Sequence, residues 1–448
     1  MLSKIKNLRS FNKNILSVVI GICFGMFGFS QTGPGGVGTN DGTSDLVMWY
    51  RTDNALITSG SNVTNWINSA GYGVHDMAQS GSSNPQLIQN SVNGYDEIQF
   101  NTSGILQTGL NLTTSNFVTN QASSYIYTKV NSITRSFPYT TLPAGGQRFM
   151  CHIPWSNGIV YFDIGQCCGA AARIQVGGLS GLTNYSLWSY DANPISGKQL
   201  YRNGALLQDR ANSSTYSSHS SHRFGLGSNF NGNITEVIVF KEKVNTAQRL
   251  IIENYLTAKY GNVLVDNDIY VQDDPVNGDF DHDVAGIGQA SDGTNQTDSQ
   301  GTGIVRVFGA SDLDNNEFLI WGHNNRDLLV NNTTDIPPNR IHARLERVWR
   351  VSESNDSGIF IDVGTVDMVI DTSGIPDFEP SRPPQLLIDT DNDGFFHDES
   401  SLIGRSLGNN LYRFDMVTTI EDNVRFTFAI GTITIITNRR ITHRVNKN

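Results

Sequence analysis

The stretch NGNITEVIVFKEKVNTAQRLIIENYLTAKYG, residues 231–261, decides the fold class because it runs a strand directly into a capped helix. Residues 234–240 are apolar or β-branched apart from Glu236, the composition of a sheet strand. Asn245 then stands where a helix cap belongs, and Gln248 three residues later is placed to return a hydrogen bond to the cap's own N–H, a capping box. Ile251, Ile252, Tyr255, Leu256 and Tyr260 recur at three- and four-residue spacing and form one apolar stripe. Gly261 supplies the left-handed C-cap. The spacing predicts a helix that closes a domain.

Upstream, LVMWYRTDNAL (46–56) reads as an opening strand, VTNWINSAGYG (63–73) as a loop built on a tryptophan, and EIQFNTSGIL (97–106) as a following strand. QLYRNGALL (199–207) is a hairpin with Asn-Gly at its turn, and HRFGLGSNFNG (222–232) leads into the last strand. In this order, and with the YLTAKYG ending, the elements resemble the concanavalin A-like lectin/glucanase modules, the laminin G-like jelly rolls, of secreted bacterial proteins. That resemblance implies a jelly-roll sandwich over residues 45–262. It also implies a binding surface more readily than any one reaction.

The chain begins with Lys4, Lys6, Arg9 and Lys13, then an apolar run over 15–29, then SQTGPGGVG. This order predicts a signal peptide over 1–30 and an exported protein, secreted or held at the cell surface. The apolar run is shorter than the roughly 20 residues that span a bilayer, and no later stretch is long and apolar enough to cross one. A Gly-rich N-terminal segment, 31–44, follows. With 44 glycines and only 16% charged residues, the composition suits an all-β protein with many tight turns. Cys151, Cys167 and Cys168 remain after the signal. Adjacent cysteines seldom bond each other, so a bridge from Cys151 to Cys167 or Cys168 is the expected pairing in an oxidising compartment.

Charge divides the chain. Residues 31–262 carry 13 basic and 12 acidic residues, whereas 263–430 carry 10 basic and 30 acidic ones, a net −20. A region so acidic repels phosphate, which excludes nucleic acid as a partner. It still reads as folded. FLIWGH (318–323), RVWRV (347–351), IFIDVG (359–364), PQLLIDT (384–390) and VRFTFAIG (424–431) are strand-like runs separated by Asp-, Asn- and Gly-rich turns. Residues 263–431 resemble an uncharacterised acidic β-rich domain that follows lectin-like modules in secreted bacterial surface proteins. A second β-sandwich is expected there. Relatives with this pairing of domains commonly carry a sorting domain of the type IX secretion system, but only a basic tail, 432–448, follows here.

DTDNDGFFHDES (389–400) is the sharpest chemical signal. Asp389, Asp391 and Asp393 occupy loop positions one, three and five, Gly394 makes the turn, and the carbonyl of Phe395 follows. This spacing suits the six to eight oxygens of Ca²⁺, with Asp398 or Glu399 completing the set. Ser400 stands where an EF-hand has its bidentate Glu, and Asp, Asn and Gly are also the residues of an ordinary hairpin turn. A second acidic group alternates at Asp279, Asp281 and Asp283, which would share one face of an extended strand.

Catalytic residues are not expected. A glucanase on this fold needs two carboxyl groups across a cleft, and residues 31–262 hold no ExDxxE run. Asp96 and Glu97 are neighbours that point to opposite faces, while Glu236 and Asp163 are each single. Trp155, Tyr161, Trp188 and Tyr190 are the candidate ligand contacts, offering flat rings to a sugar. The sequence therefore reads as a non-catalytic binding or adhesion protein for an extracellular glycan or surface protein. The alternative is a polysaccharide-degrading glycoside hydrolase whose acids come from separate strands.

Overall fold

The computed structural model describes residues 31–143, 145–217 and 220–432. The signal peptide expected over 1–30 and the tail from 433 lie outside them. Among the described residues the protein is nearly all β, with one α-helix, Thr246–Tyr260.

The first half is a sandwich of two antiparallel layers. In one, Asn231–Phe240 lies between Leu46–Arg51 and Ala122–Val130, with Tyr95–Asn101 beside its first residues, and the layer continues through Ser186–Asn193 and Gly197–Arg202 to Ala205–Arg210. In the other, Phe137–Leu142 lies between Arg223–Ser228 and Gln147–His152, which leads on to Val160–Gln166 and Arg173–Val176. Ile126, Trp188, Val237 and Val239 from the first layer meet Tyr139, Phe149, Phe162 and Phe224 from the second. Residues 237–240 are apolar without alternation because both faces of the strand are buried. Val237 and Val239 face the sandwich core, while Ile238 and Phe240 join Trp49, Tyr125 and Tyr127 beneath the helix.

The second half stacks two further antiparallel sheets over a core that includes Ile287, Trp321, Trp349, Met368, Phe414 and Phe428. Four of the five strand-like runs largely form strands, overlapping Glu317–His323, Trp349–Ser354, Pro384–Asp389 and Arg425–Gly431. IFIDVG does not. An Asn355 side chain accepting from Ser357 and Ile359 N–H turns the chain there, and Ile359 and Phe360 point outward, so the strand begins only at Val366.

Local chemistry builds the helix as its sequence dictates. Asn245 accepts from Gln248 N–H at 2.9 Å, Gln248 returns a bond to Asn245 N–H at 3.1 Å, and Gly261 closes the helix at φ 62°. Its surroundings are less ordinary. Thirteen of its fifteen residues are buried, since Val284, Phe318 and Ile320 of the second half cover the side that the first sandwich leaves open. The Gly-rich segment is packed into the same junction. Gly35 and Gly36 are at φ 65° and 87°, and a Cβ on Gly36 would lie 2.4 Å from that of Ser299. The linker is equally fixed, because Asn254 on the helix accepts from the N–H groups of Ile269 and Tyr270, each at 2.9 Å.

Candidate ligand-binding cavity

The second layer of the first sandwich turns one face to the core and the other to a concavity of about 550 Å³. Period-two alternation sorts the side chains. Phe149, Cys151, Phe162, Ile164 and Ile174 enter the core. Arg148 and His152 point the other way, and the register sets Tyr161 opposite His152 and Arg173 opposite Asp163. Trp155 comes from the tight loop before Val160–Gln166, which is pinned by Trp155 N–H to the Ile159 carbonyl at 2.8 Å, and Arg135 and Phe137 close the rim.

Three guanidinium groups dominate the lining. Arg173 grips Asp163 with two bonds of 2.6 and 2.7 Å, and Arg148 lies 3.7 Å from the same carboxylate. Arg173 lies over the Tyr161 ring at 4.5 Å, while Arg135 lies over Trp155 at 4.8 Å and Phe137 at 5.0 Å. His152 is buried, with Nδ1 2.7 Å from the Ser136 carbonyl, and burial pushes its imidazole down to about 4, so it is neutral at pH 7. Cys168 reaches the rim and is paired with Cys167, whereas Cys151 is a free thiol in the core. The expected bridge from Cys151 is absent because strand alternation turns its sulfur away from the turn that carries the other two.

Of the four aromatic residues singled out in the sequence, Trp155 and Tyr161 line this cavity. Trp188 and Tyr190 do not. Both are core residues, 1% and 0% exposed, with Tyr190 stacked on Phe162 at 5.2 Å, so neither offers a face to a ligand. Arg135, Arg148, His152 and Arg173 were not singled out. Alternation in RFMCH (148–152) was the available signal, a charged or polar residue at each end of a strand whose intervening positions are core.

Glu97 and Glu236 are tied into structure. Glu97 accepts from Ser91, Tyr185 and Asn233 at 2.7, 2.6 and 2.5 Å. Glu236 accepts from Trp49, Tyr255, Lys259 and Tyr260. Asp281 and Asp283 also have separate partners. Asp281 bonds Asn93 and His282, and Asp283 bonds His323 at 2.9 Å, so the alternating acids do not converge.

The 389–400 loop does bring acids together. One carboxylate oxygen each from Asp389, Asp391 and Glu399 lie within 4.8 Å of one another, and so do oxygens of Asp391, Asp393 and Asp398. Asp389 is fully buried and its Oδ1 has no partner, while Oδ2 accepts from Gly394 N–H at 3.0 Å and from Arg425 at 3.3 Å. Burial raises its carboxyl above the usual range. Phe395 enters the loop through its N–H, which donates to Asp393 at 2.8 Å. The donor set, all oxygen and with one buried oxygen unsatisfied, fits a hard cation.

A family described as a domain of unknown function (DUF8202) matches residues 248–423, beginning inside the helix rather than after it. No curated protein matches the sequence. Solved structures to which the chain is similar include Domain 4 of AbnA, a GH43 extracellular arabinanase from Geobacillus stearothermophilus, in complex with arabinotriose. That likeness has 14% identity, covers 45% of this chain and 94% of that one, and has a TM-score of 0.34. The botulinum neurotoxin serotype D binding domain is 10% identical over 87% of this chain and 96% of that one, with a TM-score of 0.36. The binding domain of Paraclostridial Mosquitocidal Protein 1 is 10% identical over 48% and 55%, with a TM-score of 0.35. Likeness this distant transfers neither topology nor ligand to the chain.

Proposed function

We propose that this chain is a secreted or cell-surface binding protein, without catalytic activity, that holds an extracellular carbohydrate in the cavity of its first sandwich. In this reading the first sandwich is of the concanavalin A-like, laminin G-like kind. The acidic second sandwich presents it, with Ca²⁺ stiffening the 389–400 loop through Asp389, Asp391, Asp393, the carbonyl of Phe395 and one of Asp398 or Glu399. The observation that carries the reading is the convergence of Trp155, Tyr161, His152 and three arginines on one concavity. Rings with polar neighbours are how a shallow protein surface grips a sugar.

The same cavity speaks against a hydrolase. Glycoside cleavage needs two carboxyl groups flanking the scissile bond, one of them free to move a proton. The carboxylate at this cavity is Asp163, which is fully buried and held by Arg173. The test is a glycan array probed with the full mature chain, run beside a reducing-sugar assay on every glycan bound. Binding without product supports the reading. Release of reducing ends would replace it with the hydrolase.

A further inference from the structure

The cavity's chemistry separates two kinds of sugar. A neutral sugar is gripped mainly by stacking its C–H face on an open aromatic ring. Here a guanidinium plane already covers a face of Trp155 and another a face of Tyr161, at 4.8 and 4.5 Å. Charge points the same way. Arg135, Arg148 and Arg173 line the concavity against the single carboxylate of Asp163, which leaves two positive charges in excess. Asp163 is engaged twice by Arg173 but only at 3.7 Å by Arg148, and Arg135 has ring contacts and no carboxylate within ion-pair distance among the described residues. Two guanidinium forks thus retain donors for an oxyanion, and Arg matches carboxylate and sulfate oxygens in pairs.

We infer that this cavity selects an anionic saccharide, one carrying a carboxylate or sulfate ester, which Arg135 and Arg148 bind while Arg173 and Asp163 hold the floor of the site in place. The inference rests on the reading of the cavity as a carbohydrate site. His152, neutral and buried beside them, adds a hydrogen-bonding edge without adding charge.

The experiment titrates the full mature chain with matched pairs: polygalacturonate against its methyl ester, and a sulfated galactan against the same polymer desulfated. The expected result is binding to at least one acidic member, at least about tenfold weaker for its neutral counterpart and weakened by added salt. The member bound identifies carboxylate or sulfate as the recognised group. Arg135→Gln and Arg148→Gln should each lower affinity about tenfold, the loss of one charge-assisted contact. Arg135→Gln should melt like wild type because that side chain is exposed. Equal binding of the neutral members overturns the inference and leaves the carbohydrate reading standing. Acidic binding that neither variant weakens also overturns it, since the anion then sits elsewhere. If no saccharide binds on these pairs or on the array, the carbohydrate reading falls and the inference with it.

Discussion

Lys259 Nζ lies 2.9 Å from the carboxylate of Glu236, and both side chains are almost wholly buried between the first sandwich and the helix. Trp49 and Tyr260 donate to the same carboxylate at 2.6 and 2.7 Å, and Asp53 lies 3.1 Å from the ammonium. Burial pulls the Lys259 ammonium down, but Asp53 and Glu236 outweigh it and hold it above its ordinary range. Lys259→Met should therefore destabilise the protein by about 3–5 kcal/mol, chiefly by leaving Glu236 charged and unpaired. Adding Glu236→Gln should recover part of that loss. Urea denaturation of both variants checks this, and a single-variant cost below about 1 kcal/mol would show that the pair contributes little.

Gly36 joins the Gly-rich segment to the second sandwich, its carbonyl accepting from Gln296 at 3.0 Å and Ser299 at 3.2 Å. Gly36→Ala meets both a positive φ and a Cβ placed 2.4 Å from that of Ser299. Left-handed backbone costs a non-glycine residue roughly 1–2 kcal/mol, and overpacking about 1–3 more. A cost above about 2 kcal/mol is expected, with faster hydrogen exchange at Gln300 and Gly301, whose N–H groups bond the Gln31 carbonyl. Unchanged exchange at these amides would mean that the segment does not brace the junction.

What local rules govern was legible in the sequence; what distant strands bring together was not. The capping box of Asn245 and Gln248 and the left-handed Gly261 involve residues within one turn of their partners, so spacing alone predicted them. Glu236 looked solitary because its partners arrive from Trp49 and from the helix. Trp188 and Tyr190 could not be told from Trp155 and Tyr161 by residue type, since only strand register decides which rings face the core. The arginines of the cavity come from two strands and a loop, and meet only when Arg173–Val176 and Gln147–His152 flank Val160–Gln166. IFIDVG was misread because apolar content outweighed its turn signal at Asn355.

Asp273 should make stability fall as pH rises. Burial and then the neighbouring Asp268 push its carboxyl up to about 8, against about 4 in the unfolded chain. Between those values the folded state holds a proton that the unfolded state has released, so folding is weakened progressively from about pH 4 to pH 8. Asp273→Asn removes this slope. The variant should melt above wild type at pH 8.5 and alongside it at pH 4.5. His152, pushed down to about 4, acts in the opposite sense, with stability falling as pH drops from about 6.5 to 4. The variant minus wild-type difference is therefore the readout, and a difference independent of pH would refute the assignment.

The acidic loop poses a choice between two cations. Asp389, Asp391 and Glu399 converge, as do Asp391, Asp393 and Asp398, and Asp391 belongs to both groups. Arg425 already stands 3.3 Å from Asp389, yet it reaches only Oδ2 and leaves the buried Oδ1 unsatisfied. A guanidinium alone does not complete the site, whereas Ca²⁺, which takes six to eight oxygens, can use both groups of acids. Binding to the folded state alone adds RT ln(1 + [L]/Kd), about 2.7 kcal/mol at a hundredfold excess over Kd. Millimolar Ca²⁺ added to chelator-treated protein should raise the melting temperature, and Asp391→Ala should remove most of that rise. If Ca²⁺ has no effect and Arg425→Ala destabilises strongly, the arginine is the loop's only cation and the turn is structural.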